Sequence, residues 1–187
     1  MPVPAAPVAD ERAALAEFLD QQHLAFRAAV YGLTAAQSHA RSTCSQIVLA
    51  NLVQHVTVVQ DNWLNSAEAA PEAPASRDTV GSDWDASDRT LQELLADFDA
   101  TAARAQELIG RLDLDAFVPA PGAPWFAGID GWSVRWVFFH LIQELARHAG
   151  HADIVREGID GATQYELVAG LEGWPDTDYL TAWQPSA

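Results

Sequence analysis

Apolar residues recur along this chain at intervals of three and four, the period of a helix with one buried face. Between about residues 10 and 31 the stripe passes through Leu15, Phe18, Leu19, Gln22, Phe26 and Val30. A second stripe, from about 42 to 64, uses Val48, Leu52, Val56, Val59 and Trp63. A third, from about 87 to 112, uses Leu91, Leu94, Leu95, Phe98, Ala102 and Leu108. A fourth runs from about 133 to 157, after a Gly131-Trp132 turn and before Gly158 and Gly161. Asp10, Ser87 or Asp88, and Ser133 stand where helix N-caps belong, and Glu11 faces the positive end of the first helix. No segment reads convincingly as a strand. Four long amphipathic helices predict an all-α fold, a four-helix bundle, over a single domain of residues 1–187.

Two long connections interrupt the pattern. SAEAAPEAPASRDTVGSDWDAS, residues 66–87, is rich in Ala, Pro, Ser and Asp and reads as a loop. DLDAFVPAPGAPWFAGIDGW, residues 113–132, is broken by proline and glycine yet carries Phe117, Trp125, Phe126 and Trp132. A polar linker does not need those aromatics, so the segment either walls a binding site or plugs the bundle end. The tail after Gly161, with Tyr165, Trp174, Tyr179 and Trp183, is expected to pack back on the body.

The fourth helix carries the candidate chemistry. In FFHLIQELARHAGHAD, residues 138–153, three histidines and a glutamate follow one another at gaps of four, four and three. With His140 at zero on a helical wheel, Glu144 falls near ~40°, His148 near ~80° and His151 near ~20°. Val137, Leu141, Leu145, Ala152 and Val155 fill ~60° to ~140°, whereas Arg135, Asp153 and Glu157 lie opposite, near ~220° to ~260°. The ligand row therefore overlaps the buried stripe. A carboxylate there must be paired, protonated or bound to a cation. On the second helix, His55 lies beside the face of Val48, Leu52, Val59 and Trp63. Two imidazoles and a carboxylate converging in a bundle make a metal site with a coordination position left open; zinc fits two nitrogens and one oxygen, and nickel, iron and manganese stay open. The competing reading is a hydrogen-bonded polar network with no metal.

Charge and cysteine usage narrow the function. The formal net charge is −16, from 10 Lys and Arg against 26 Asp and Glu, so phosphate backbones and anionic membrane surfaces are repelled. No apolar run approaches the ~20 residues of a membrane span, and the N-terminus lacks a signal-peptide pattern. The single cysteine, Cys44, excludes an internal disulfide framework and points to a reducing cytoplasm. Other residues receive structural readings: Cys44 as buried packing, His23 as core or rim, His39 as a solvated loop residue, and Arg147 and Arg156 as partners of surface acids. SDWDASD lacks the spacing and glycine of a calcium loop.

RWVFFHLIQELARHAGHADIVREGIDG, residues 135–161, resembles the last bundle helix of the DinB-like superfamily, and NLVQHVTVVQDNWL, residues 51–64, resembles its second helix. The resemblance is closest to the actinobacterial branch related to mycothiol-dependent maleylpyruvate isomerase. It implies His55, Glu144 and His148 as the metal triad, with glutamate where many members carry histidine. His140 and His151 then stand beside the centre rather than in it, and Gln60, Trp63 and Trp132 join them as candidate neighbours of metal or substrate. Related sequences often carry glutamate at the position of Gln60, and the isomerase's separate C-terminal domain has no counterpart in the short tail here. The resemblance further implies a homodimer and a thiol S-transferase that joins a low-molecular-weight thiol such as mycothiol to a small electrophile. Trp63 and the aromatic loop, Trp125, Phe126 and Trp132, would wall an apolar electrophile. A metal-dependent hydrolase on the same three ligands, or a non-catalytic metal-binding or stress-related protein, are the alternatives. No catalytic residue beyond the ligands is assigned.

Overall fold

The computed structural model describes residues 5–72, 84–121 and 123–185, without the side chain of Trp125. It is mostly helical. Glu11–Val30 forms α1, Ala35–Ser38 the single turn α2, Leu49–Ala69 α3, Leu91–Arg111 α4, Val134–Asp160 α5 and Gln164–Glu172 α6. Phe117–Pro119 (β1) and Gly131–Ser133 (β2) pair antiparallel, with Val118 opposite Trp132.

The helix ends follow capping chemistry more closely than the apolar stripes. Asp10 caps α1 by accepting from the Ala13 amide, and Ser133 caps α5 by accepting from Trp136. The cap of α4 is Thr90, not Ser87 or Asp88; with Glu93 it forms a reciprocal capping box. The second long helix begins at Leu49 rather than near Ser42. Residues ahead of it spend their side chains on local backbone: the Thr43 hydroxyl accepts from Ser45 N, the Ser45 hydroxyl from Ile47 N, and Arg41 donates to the carbonyls of Cys44 and Ser45. Ser and Thr that bond nearby amides compete with the helix. α5 runs on to Gly161, whose positive φ of 78° ends it in the left-handed conformation.

Contacts between helices fix their directions. Arg135 pairs with Glu11 at one end of α1 and α5, and Arg156 bonds the carbonyls of Ala29 and Tyr31 at the other, so these helices run parallel. α3 and α4 are also parallel: Gln54 bonds Asp85 just ahead of α4, and Arg104 reaches Asp61, Asn65 and Glu68. The two pairs oppose each other, since Arg12 of α1 bonds the carbonyls of Ile109 and Leu112 and His55 of α3 faces His148 of α5. All four long helices contribute to one core, around Leu19, Phe26, Leu52, Val56, Phe98, Leu108, Val137 and Leu141. β1 and β2 cover the end where α4 stops and α5 starts, and the strand pair is the exception to a chain expected to have none. Phe18, expected in the α1 stripe, is instead exposed.

A smaller cluster seats the tail. Ala28, Leu167 and Val168 are buried there against Trp174 and Trp183. Arg156, expected at the surface, is fully buried: it bonds Asp160 and two α1-side carbonyls, and Trp183 lies 4.6 Å over its guanidinium. Near ~160° on the wheel used above, Arg156 falls in the buried stripe. Tyr179 does not pack and is 91% exposed. Cys44 is exposed too, contrary to the buried packing expected of it. The 66–87 connection begins inside α3, which runs to Ala69; its middle, residues 73–83, lies outside the described residues, and its end, from Trp84, is in place.

Candidate metal centre

His55 sits in the second turn of α3, one residue after Gln54 and four after Asn51. Glu144 and His148 sit one turn apart in the middle of α5. Because the two helices run antiparallel, these turns meet side by side. The Glu144 Oε1 lies 3.2 Å from His148 Nε2 and 3.7 Å from His55 Nε2. One ligand atom from each of the three residues lies within 4.8 Å of the others. Donors around a tetrahedral ion with bonds of ~2.0–2.1 Å stand roughly 3.3 Å apart, so the two measured carboxylate–imidazole separations straddle the required value. Two neutral imidazoles and one carboxylate suit a divalent transition metal and leave room for a further ligand.

The electrostatics agree with that donor set. The side chains of His55, Glu144 and His148 are only 10%, 20% and 12% exposed. Hydrogen bonding from His148, then from His55, holds the Glu144 carboxyl well below the usual carboxylate range against the opposing effect of burial. The glutamate is thus an anion in a largely buried place, with no arginine beside it among the described residues.

The neighbours expected from the sequence fall into three groups. His151 belongs to the centre's surroundings: its Nδ1 lies 3.4 Å from His148 Nδ1, on the side of the His148 ring away from Glu144. His140, Trp63 and Trp132 form an aromatic cluster beside Glu144. Trp63 meets His140 edge to face at 4.8 Å and Trp132 at 5.1 Å, and Phe126 joins at 5.0 Å from Trp132. Burial holds the His140 pKa below its ordinary value. Gln60 is in neither group. It is fully buried and accepts a 2.7 Å hydrogen bond from His23, whose ring packs edge-on to Phe98. His23 is therefore a core residue, as its place on the α1 stripe suggested.

Two tryptophans at the site were not singled out by the sequence. Trp136 stacks between Trp132 and His140, at 5.0 Å from each; its spacing of four from both residues was the available signal. Trp84 stacks on His55 at 3.9 Å and 19°, and lies 5.9 Å from His148. No periodicity marks it, since it stands in a loop. His39, expected to be solvated, is half-buried, and its Nε2–H donates to Ala86 O at 3.2 Å.

Fold and site together define a helical protein in which two antiparallel helices bring together His55, Glu144 and His148, a group that could hold a metal ion. The mycothiol-S-transferase family model matches residues 14–161. The chain belongs to that family and is a DinB-like protein. No curated protein matches the chain. Among the described residues, no helix is long and apolar enough to cross a membrane.

Proposed function

We propose that this chain is a divalent-metal-dependent S-transferase that joins a low-molecular-weight thiol of the mycothiol type to a small electrophile. The observation that carries the reading is the convergence of His55, Glu144 and His148 within 4.8 Å, in a chain of the mycothiol-S-transferase family. We read the four long helices as a DinB-like four-helix bundle, and zinc or nickel as the metal. The reading carries with it a reducing cytoplasm, in which a free thiol persists, and the homodimer that the DinB-like resemblance implies.

A divalent ion held by these three residues would lower the pKa of a thiol ligand and orient its sulfur. Glu144 offsets one of the ion's two charges, so the centre still attracts an anionic sulfur. The hydrogen-bonding partner on the far side of His148, His151, fixes the ring that presents Nε2 to the site. Trp63, Trp132, Trp136 and His140 give the Glu144 side an apolar boundary that favours an uncharged electrophile over water. In the overall conjugation the sulfur–carbon bond forms, the bond from that carbon to its leaving group breaks with the electron pair departing, and the thiol proton passes to solvent.

The test is conjugate formation followed by mass spectrometry. Metal-loaded protein should accelerate the joining of mycothiol to an electrophile, and Glu144→Gln should reduce the rate to the uncatalysed level. Stoichiometric metal with no conjugation of any thiol tried would contradict the transferase reading.

A further inference from the structure

We propose that Trp84 is a positioning residue of the metal centre, holding the His55 imidazole in plane and covering the His55–His148 side of the site. The inference rests on the metal-centre reading above and assigns a role to a residue outside the helices that supply the ligands.

The backbone after Trp84 is fastened to α3 and to the end of α2 independently of the indole. Gln54 donates to Asp85 O at 2.5 Å, the Asn51 side chain accepts from Ala86 N at 3.2 Å, and His39 donates to Ala86 O at 3.2 Å. Ala86 itself is fully buried. Gln54 and Asn51 lie within one turn of His55, so these bonds deliver the segment to the level of the ligand. The indole then lies nearly parallel to the His55 ring at 3.9 Å and meets the His148 ring at 5.9 Å and 61°.

Burial of the indole is not what this arrangement achieves, because Trp84 remains 37% exposed. Its specific contacts are with the two imidazoles. An imidazole bound to a cation gains positive character, and an aromatic face attracts positive charge more strongly than it attracts a neutral ring. The stack is therefore tighter in the metal-loaded state than in the free one, and Trp84 adds to metal affinity as well as to ring orientation. Groups that orient a metal-binding histidine are commonly worth about 10–100-fold in affinity.

The experiment compares wild type with Trp84→Leu, which keeps apolar bulk without a ring, and Trp84→Phe, which keeps a ring. Zinc affinity is measured by competition with a chelator, the cobalt-substituted visible spectrum reports ligand geometry, and the His55 ring-proton shifts are read by NMR in the metal-free proteins. The expected result is a loss of about 10–100-fold in zinc affinity and an altered cobalt spectrum in Trp84→Leu, with most of both restored in Trp84→Phe. The His55 protons should lose their ring-current shift in Trp84→Leu. Equal affinity in wild type and Trp84→Leu, or an equal loss in both variants with unchanged circular dichroism, would overturn the proposal. If wild type takes up no metal, the metal-centre reading itself fails. The His55 shifts then decide whether Trp84 holds the ring: unchanged shifts in Trp84→Leu reject it, and lost shifts uphold it.

Discussion

His148 shows how little of a site one side chain has to supply when its neighbours are set. Its Nε2 approaches Glu144 at 3.2 Å, while Nδ1 approaches His151 at 3.4 Å. A metal-binding histidine with its second nitrogen occupied is fixed in tautomer and orientation. His151→Ala should therefore weaken zinc binding by about 10-fold without abolishing it, as a chelator competition would show. Asp153 makes a different prediction, about stability. The wheel placed it opposite the buried stripe, yet it is half-buried, with an Oδ1 that has no hydrogen-bond partner among the described residues. Burial, and then the nearby Glu157, raise its pKa from 3.8 to about 6. The folded protein thus holds this proton more tightly than the unfolded chain does. Its contribution to stability is complete below about pH 4 and is lost as pH rises through about 6. Asp153→Asn should flatten that part of the stability profile and stabilise the protein at pH 7 by about 1 kcal/mol, well below the ~3 kcal/mol that a shift of about two pKa units would give unscreened, because water partly screens the group. His23 acts in the opposite sense. Burial lowers its pKa, so its neutral form is favoured and stability falls as pH drops below 6.5. Chemical denaturation of wild type and Asp153→Asn across pH 4–8 isolates the aspartate, because both proteins keep His23. An unchanged pH profile in Asp153→Asn would show that the buried carboxyl does not titrate this way.

At the scale of elements, the strand pair gives the 113–132 connection its order. A Cβ at Gly131 would lie 2.3 Å from Val118 O, so only glycine allows the register that places Val118 opposite Trp132. Trp132 in turn joins Trp63, Phe126 and Trp136 beside the site. Gly131→Ala should cost about 1–3 kcal/mol, by urea unfolding, and should change the near-ultraviolet circular dichroism of the tryptophans. Loss of stability with an unaltered aromatic signal would mean that the strands do not seat the cluster. These elements also show what was legible in advance. Long helices announced themselves through their stripes, and Glu144 and His148 through their spacing on the α5 wheel. The strand pair did not, because three-residue strands are too short for a period-two signal. The start of α3 was misread because Arg41, Thr43 and Ser45 use their side chains on nearby backbone, a competition that an apolar pattern does not register.

Across the whole molecule, the site depends on direction as much as on composition. α1 with α5 and α3 with α4 form parallel pairs that oppose each other, so the second turn of α3 meets the middle of α5. His55 thereby meets Glu144 and His148, 89 and 93 residues further along the chain. Periodicity turned His55 and Glu144 inward on separate helices and suggested that they converge, and the resemblance to DinB-like proteins singled out His55, Glu144 and His148 before the structure brought them together. Trp84 reached the site through the crossover between α3 and α4, where neither periodicity nor resemblance gave notice. Buried Arg156, tied to α1 carbonyls and covered by Trp183, was visible on the same wheel as the ligands, but a formal charge invited a surface reading. Metal content decides the central claim most directly. Untagged protein, with Glu144→Gln and His148→Ala, should be analysed by elemental mass spectrometry after equilibration with zinc and with nickel. The account predicts close to one divalent ion per chain in wild type and loss of it in both variants, with circular dichroism unchanged. Wild-type protein that takes up neither metal would contradict it and leave His55, Glu144 and His148 as a hydrogen-bonded polar network.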